Sequence, residues 1–220
     1  MTLSEKAYAA LRQDIIRGVL TSGSPLRMAE LSSRYDMGFS PLREALNRLQ
    51  SERLVVAEAL RGFKVAPLSL AEMQDAIASR ILIEGDALRA AIRNGDDAWA
   101  AAIVAALYAL KLQVARSGAE ADIWELEARH YAFHRALLAA CGSPWRLEFF
   151  DRLYAATERY RIPILLNPSR PTGRDIQAEH SALAEATLAR DADAAVALLT
   201  AHYQRSAEII AQTMQAAARG

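Results

Sequence analysis

The sequence predicts a mainly α-helical chain in two parts, and three observations carry that expectation. Alanine is abundant, while only 10 of 220 residues are Gly and 7 are Pro, a balance that favours helix. After residue 68, apolar residues recur at the spacing of an amphipathic helix over six long stretches. Only two short segments, Leu54–Glu58 and Gly62–Val65, read as strands. At 52 % hydrophobic and 24 % charged, the chain is too apolar for intrinsic disorder. Its length suits one large or two small domains.

The first helix covers residues 5–18, with Tyr8, Leu11 and Ile15 on one face. Gly18 ends it, and Thr21-Ser-Gly-Ser-Pro25 makes a turn. A short helix runs from about Ala29 to Tyr35, and Asp36-Met-Gly-Phe39 is a tight connection. Ser40 and Pro41 then open a third helix, with serine expected as N-cap and proline at the first helical position. Leu42, Ala45, Leu46 and Leu49 form its buried face, and Ser40, Arg43 and Asn47 lie on the other side. The two strand segments follow as a hairpin with Arg61 and Lys64 near its tip.

Two short helices, a turn and a hairpin form a winged helix-turn-helix. A helix fits the major groove, and its polar side chains reach base edges and phosphates. The candidate DNA contacts are Ser40, Pro41, Arg43, Asn47 and Arg48 on the helix, and Arg61, Gly62 and Lys64 on the wing. The same pattern also fits a solvated helix on a small helical domain. Charge is consistent with the first reading: residues 1–67 carry ten Lys/Arg and seven Asp/Glu, against sixteen and nineteen in residues 68–220. A mildly basic head on a mildly acidic body suits a DNA reader. The expected domains are therefore 1–67 and 68–220.

The second part reads as six helices, about 69–94, 96–117, 122–141, 144–166, 172–190 and 192–217, packed as an antiparallel bundle. Breaks fall at Asn94-Gly95, Ser117-Gly118, Gly142-Ser-Pro144, Asn167–Pro171 and Asp191, and Pro163 should kink or end the fourth. All four histidines of the chain lie on inward stripes. His130 and His134 are an i, i+4 pair on one face, beside Phe133 and Leu137. His180 lies eleven residues before Asp191 and His202 eleven after. In a helical hairpin both then stand at one height, roughly 16 Å from the turn. Bundles build metal sites in this way, from side chains on facing helices. The alternative is four separate core histidines, each satisfied by a neighbour.

No apolar run approaches the roughly 20 residues that a membrane span needs, and Met1–Lys6 lacks a secretory core. The expected setting is cytoplasmic, with no membrane partner. The single cysteine, Cys141, excludes an internal disulfide and reads as a small buried apolar residue.

At this point the residues resemble a known family. A-Y-x-x-L-R-x-D-I-I-R-G-x-L from Ala7, L-x-x-x-x-L-S-S-R-Y from Leu26, S-P-L-R-E-A-L-x-R-L from Ser40 and G-F-K-V from Gly62 look like the GntR-type winged helix-turn-helix. Arg80 and Glu84, the H-x-x-x-H pair with Phe133, and His180 and His202 are similar to the FCD effector-binding domain of the FadR branch. The resemblance implies a homodimer on operator DNA, with the shorter, six-helix effector domain binding a divalent metal and a small carboxylate. In that reading His130, His134, His180 and His202 hold the metal, and Arg80, Glu84 and Arg159 meet the effector. Tyr160 and Arg161 are weaker candidates for the same role.

Two departures from the family pattern stand out. Phe39 occupies the place of an arginine that enters the reading helix, so an operator sequence cannot be borrowed from relatives. His130 occupies the place of an aspartate, which makes the site one unit more positive and favours zinc or nickel over manganese or magnesium. Glu127, one turn before His130, is a candidate outer partner or substitute ligand. The competing function is a metal-dependent hydrolase with a helical head, since an open metal position can activate water. Against it, no general base beyond Glu127 or Glu84 accompanies the histidines, and the chain is expected not to be an enzyme.

Overall fold

The computed structural model describes residues 1–58, 62–116, 123–165 and 174–217. Its elements are α1 (Leu3–Ile16), β1 (Pro25–Leu26), α2 (Met28–Tyr35), α3 (Phe39–Ser51), β2 (Val55–Glu58), β3 (Gly62–Val65), α4 (Leu70–Asn94), α5 (Asp97–Arg116), α6 (Ile123–Leu138), α7 (Pro144–Leu165), α8 (Ile176–Leu188) and α9 (Ala192–Ala217). Two compact units result: Met1–Met73 with Ala155–Asn167, and Gln74–Tyr154 with Pro168–Gly220. Helices α4 and α7 each contribute to both. The breaks expected at Ser117-Gly118 and Asn167–Pro171 lie outside the described residues, as does Arg61.

In the first unit, α1 starts two residues earlier than the periodicity suggests. Thr2 accepts from the Glu5 amide while the Glu5 carboxylate accepts from the Thr2 amide, a reciprocal capping box. Gly18, at φ +74°, reverses the chain after the helix, a conformation that only glycine adopts without strain. Ala7, Leu11 and Ile15 of α1 meet Leu31 of α2 and Leu42, Ala45, Leu46 and Leu49 of α3 in one core, closed by Leu26, Leu54, Val55 and Val65. The sheet has the order β1-β3-β2 and is antiparallel throughout. β1 was not anticipated: Pro25 and Leu26 extend the expected turn into a third strand paired with Phe63 and Lys64.

The start of α3 also differs from expectation. Gly38 is its N-cap, with no side-chain cap, and Phe39, Ser40 and Pro41 all lie in the first turn. The missing N–H of Pro41 costs little there, because the first amides of a helix have no partner within it.

The second half of α7 completes this unit. Glu158 pairs with Arg12 of α1, and Arg159 donates to the carbonyls of Arg53 and Ala66 at the base of the hairpin. Pro163 lies within the last described turn of α7, two residues before its end.

In the second unit, α5 packs on α6 and α8, and α8 packs on α9. Ala87, Leu88, Ala91, Ile103, Phe133, Leu137, Phe150 and Ala195 are fully or almost fully buried. Cys141 is buried, as expected. The expectation that no segment reaches membrane-spanning length needs amending, since α5 is long and apolar enough by length and composition. Its Trp99, Ile103 and Leu110 are nevertheless buried within the protein.

The core packing of α3 gives a direct test. Leu46→Ala should lower unfolding free energy by about 2–5 kcal/mol in denaturant titration, through lost burial and a residual cavity. Asn47→Ala, on the exposed side of the same turn, should change it by no more than about 0.5 kcal/mol.

Candidate functional site

Three helices bring the four histidines together. His130 and His134 come from α6, His180 from α8 and His202 from α9. One ring nitrogen from each lies within 4.8 Å of all the others. Ring centroids of the α6 pair are 4.6 Å apart, and those of His180 and His202 are 4.9 Å apart. The height match about Asp191 arises from a tight hairpin. Ala189 caps α8, Arg190 takes φ +61°, and the Asp191 carboxylate accepts from the Ala194 amide to start α9. His134, His180 and His202 are buried and His130 is half-buried.

The outer partners fix how three of the rings present themselves. Tyr154 has one hydroxyl proton and directs it to Glu127 at 2.6 Å, so its oxygen accepts from His130 Nδ1 at 2.7 Å. Tyr203 donates to Glu84 at 2.6 Å and accepts from Arg80 at 2.8 Å, so its 3.1 Å bond to His134 Nδ1 is also one it accepts. Glu179 lies 2.9 Å from His202 Nδ1 and accepts from it. An Arg174 nitrogen stands 3.1 Å from the same Nδ1, but it can only donate, and its acceptors are Glu179 at 2.5 Å and the His202 carbonyl at 2.8 Å. In all three rings Nδ1 carries the proton and Nε2 keeps its lone pair.

Charge around the cluster is balanced by pairs. Arg80 (3 % exposed) and Glu84 (1 % exposed) form an ion pair at 2.6 Å, the i, i+4 bond that their spacing allows. Burial disfavours the Arg80 charge, but Glu84, Tyr203 and Tyr154 more than offset it, and its pKa is raised. The Arg80 guanidinium also lies 4.2 Å from the centre of the Tyr203 ring. Burial would raise the Glu179 pKa, yet hydrogen bonds from Arg174, His202 and Arg205 hold it far below the usual carboxylate range. For His202, burial dominates over the Glu179 bond and lowers its pKa, which favours the neutral, lone-pair-bearing ring.

The sequence-predicted residues fall into separate groups. The four histidines, Arg80 and Glu84 converge, and Glu127 joins them through Tyr154. Arg159 does not come to the histidines. Its buried guanidinium is taken by the carbonyls of Arg53 and Ala66, and burial lowers its pKa. Tyr160 bonds the Ser69 amide at 3.4 Å, and Arg161 is buried in the same unit. Ser40, Arg43 and Asn47 are exposed along α3, and Phe39 beside them is 52 % exposed. Arg48 packs 3.7 Å from the centre of the Tyr8 ring and pairs with Glu52. Gly62 is exposed at φ +87°, and Lys64 pairs with Glu58.

Sequence reasoning missed Tyr154, Tyr203, Glu179 and Arg174. Two signals were present: Glu179 and Tyr203 each adjoin a histidine in the chain.

Comparison with known proteins gives the class. Residues 3–65 match the bacterial regulatory proteins of the gntR family, and residues 75–205 match the FCD domain. The chain is 39 % identical over 215 residues to BphR of Paraburkholderia xenovorans, an uncharacterized HTH-type transcriptional regulator, covering 96 % of this chain and 86 % of that one. It is 37 % identical over 209 residues to GlaR of Escherichia coli, an HTH-type transcriptional repressor, covering 94 % and 95 %. The fold is that of Escherichia coli McbR/YncC, with TM-score 0.77 at 20 % identity over 97 % of this chain and 99 % of the other. The chain belongs to the GntR family of bacterial regulators, with a winged helix-turn-helix followed by an FCD domain. It is a DNA-binding transcriptional regulator, and its relatives are regulators rather than enzymes.

The proton assignment is open to direct measurement. Long-range proton–nitrogen NMR of metal-free protein should show His130, His134 and His202 protonated on Nδ1. A proton on Nε2 of any of the three would contradict the hydrogen-bond network.

Proposed function

We propose that this regulator holds a divalent metal on His130, His134, His180 and His202 and reads a small carboxylate beside it. In this reading residues 1–67 bind the operator, and residues 68–220 bind metal and effector and dimerise. The observation that supports it most is the donor set. Four imidazoles converge, and in three the Nδ1 proton is held outward, which leaves Nε2 for an ion. Ligand nitrogens of a tetrahedral ion with bonds of about 2.1 Å stand about 3.4 Å apart, and the four candidate nitrogens already lie within 4.8 Å of one another. The residues therefore fit a metal, and an all-imidazole set favours zinc or nickel.

A bound divalent ion would supply positive charge and open positions for an outside oxygen. Arg80, already poised within the cluster by Glu84 and Tyr203, would take a second carboxylate or hydroxyl of the same molecule through its fork. The bundle interior leaves little length, so the effector is a short mono- or dicarboxylic acid. The name of GlaR as a repressor favours release from DNA as the response. Purified protein should contain about one divalent ion per chain. His180→Ala should lose most of it and unfold at lower temperature, because ligands of the folded state stabilise it. Equal, negligible metal in both proteins would remove the proposal. Calorimetry with a panel of small acids should show binding lost on chelation and in Arg80→Ala; binding that survives both would exclude this pocket.

For DNA, α3 enters the major groove with Ser40, Pro41, Arg43 and Asn47, supported by Arg48 and by Arg61, Gly62 and Lys64 of the wing. Because each chain supplies one short reading helix, the operator is a pseudo-palindrome read by a homodimer. Arg43→Ala should weaken operator binding by about 1–3 kcal/mol if it reads a base. Lys64→Ala should weaken all sequences alike and flatten the salt dependence. An Arg43→Ala protein that held its operator at wild-type affinity would show that the reading face is wrongly assigned.

A further inference from the structure

Phe39 puts an aromatic ring in water at the entry of α3. It is 52 % exposed in the first turn, directly after the Gly38 N-cap. Met37, two residues earlier, packs against the core of the N-terminal unit, and Phe39 lies outside that core. A ring left in water forgoes the stabilisation that its burial would give.

The outer surface of α3 divides in two. One side is engaged by α1: the Ser4 hydroxyl donates to Glu44 at 2.5 Å, and Arg48 lies 3.7 Å from the centre of the Tyr8 ring. Phe39, Arg43 and Asn47 occupy the other side, at i, i+4 and i+8, and all three are exposed. At about 100° per residue they form one row within roughly 80° of the helix circumference, about 12 Å long. Among the described residues, neither Arg43 nor Asn47 makes a side-chain hydrogen bond or ion pair within the protein. The row is left open for something outside the chain.

The chemistry of each side chain limits what it can read. Arg43 and Asn47 carry hydrogen-bond donors that suit base edges. Phe39 has neither donor nor acceptor, so the hydrogen-bonding pattern of a base pair is invisible to it. The apolar feature that a base pair shows in the major groove is the C5-methyl group of thymine. Residues at the N-terminal end of a reading helix are the ones brought to base edges. Insertion of an apolar wedge between base steps is the habit of minor-groove binders, not of a helix in the major groove.

We propose that Phe39 is a specificity-determining residue whose ring packs on the methyl group of a thymine in each operator half-site. The proposal rests on the reading of α3 as the major-groove helix and adds a base identity to it. Phe39 and Arg43 are about 6 Å apart along α3, and successive bases of one strand are about 3.4 Å apart. The thymine therefore lies about two base pairs from the base that Arg43 meets.

The probe is a duplex selected from a randomised pool on the full-length wild-type protein. Each dT of its half-site is replaced in turn by deoxyuridine, which removes the methyl group and keeps every hydrogen-bonding atom. Binding is measured by fluorescence anisotropy for wild type and Phe39→Ala, with circular dichroism to confirm folding. At one dT the replacement should weaken wild-type binding about fourfold per half-site, the effect of burying one carbon. At the same place a 5-methylcytosine–guanine pair should bind wild type more tightly than a cytosine–guanine pair, by a similar factor. Phe39→Ala should hold the dT and deoxyuridine duplexes alike. If no dT shows this effect, or if Phe39→Ala keeps the same methyl sensitivity, the proposal is overturned while α3 stands as the reading helix. A wild-type protein that enriches no sequence from the pool overturns both.

Discussion

The histidine cluster depends on one requirement: every buried Nδ1 proton needs an acceptor outside the cluster. Imidazoles brought this close in a helical interior would otherwise be costly, since an unpaired buried polar group forfeits its hydration. For His130, His134 and His202 the protein meets the requirement with carboxylates, two of them reached through a tyrosine. His130 leans on Tyr154 and Glu127, His134 on Tyr203 and Glu84, and His202 directly on Glu179. Arg80 and Arg174 then neutralise two of those carboxylates. Buried networks of this kind are stable only when every member is satisfied. They also lock ring orientation, which is what a metal site needs from its surroundings.

The same helix that supplies Tyr154 supplies Glu158 and Arg159. Tyr154 belongs to the unit of the histidines, while Glu158 and Arg159 serve the N-terminal unit, through Arg12 of α1 and the carbonyls at the base of the hairpin. Four residues separate Tyr154 from Glu158, about 6 Å along a helix. In the proposed signalling, a change in how Tyr154 engages His130 has a continuous backbone on which to act. A coupling of about 1.4 kcal/mol would shift operator affinity tenfold.

Much of this was legible in the sequence, for identifiable reasons. The 3.6-residue period gave all nine helices of the described residues. The inward stripes gave the four histidines, and equal distances from Asp191 gave the matched heights of His180 and His202. The S-P-L-R-E-A-L block and the spaced histidines carried the family resemblance. What stayed hidden depends on long-range pairing. β1 is two residues long and exists only because β3 lies beside it. The N-cap of α3 moved to Gly38 because the backbone, not the Ser40 side chain, sets the entry. Tyr154, Tyr203, Glu179 and Arg174 are common residue types whose role appears only when helices meet. Arg159 is expected at the effector only from the family resemblance, and its place on α7 commits it to backbone carbonyls instead.

The most direct test of the account is X-ray absorption at the metal edge of the purified, unchelated protein. Four histidine ligands predict a first shell of nitrogen at about 2.0–2.1 Å, with the outer-shell scattering of several imidazole rings. Loss of one ring's contribution should follow His130→Ala, with the metal retained on the other three. A shell of oxygen without imidazole scattering, or one unchanged when His134 or His180 is replaced, would contradict the central claim.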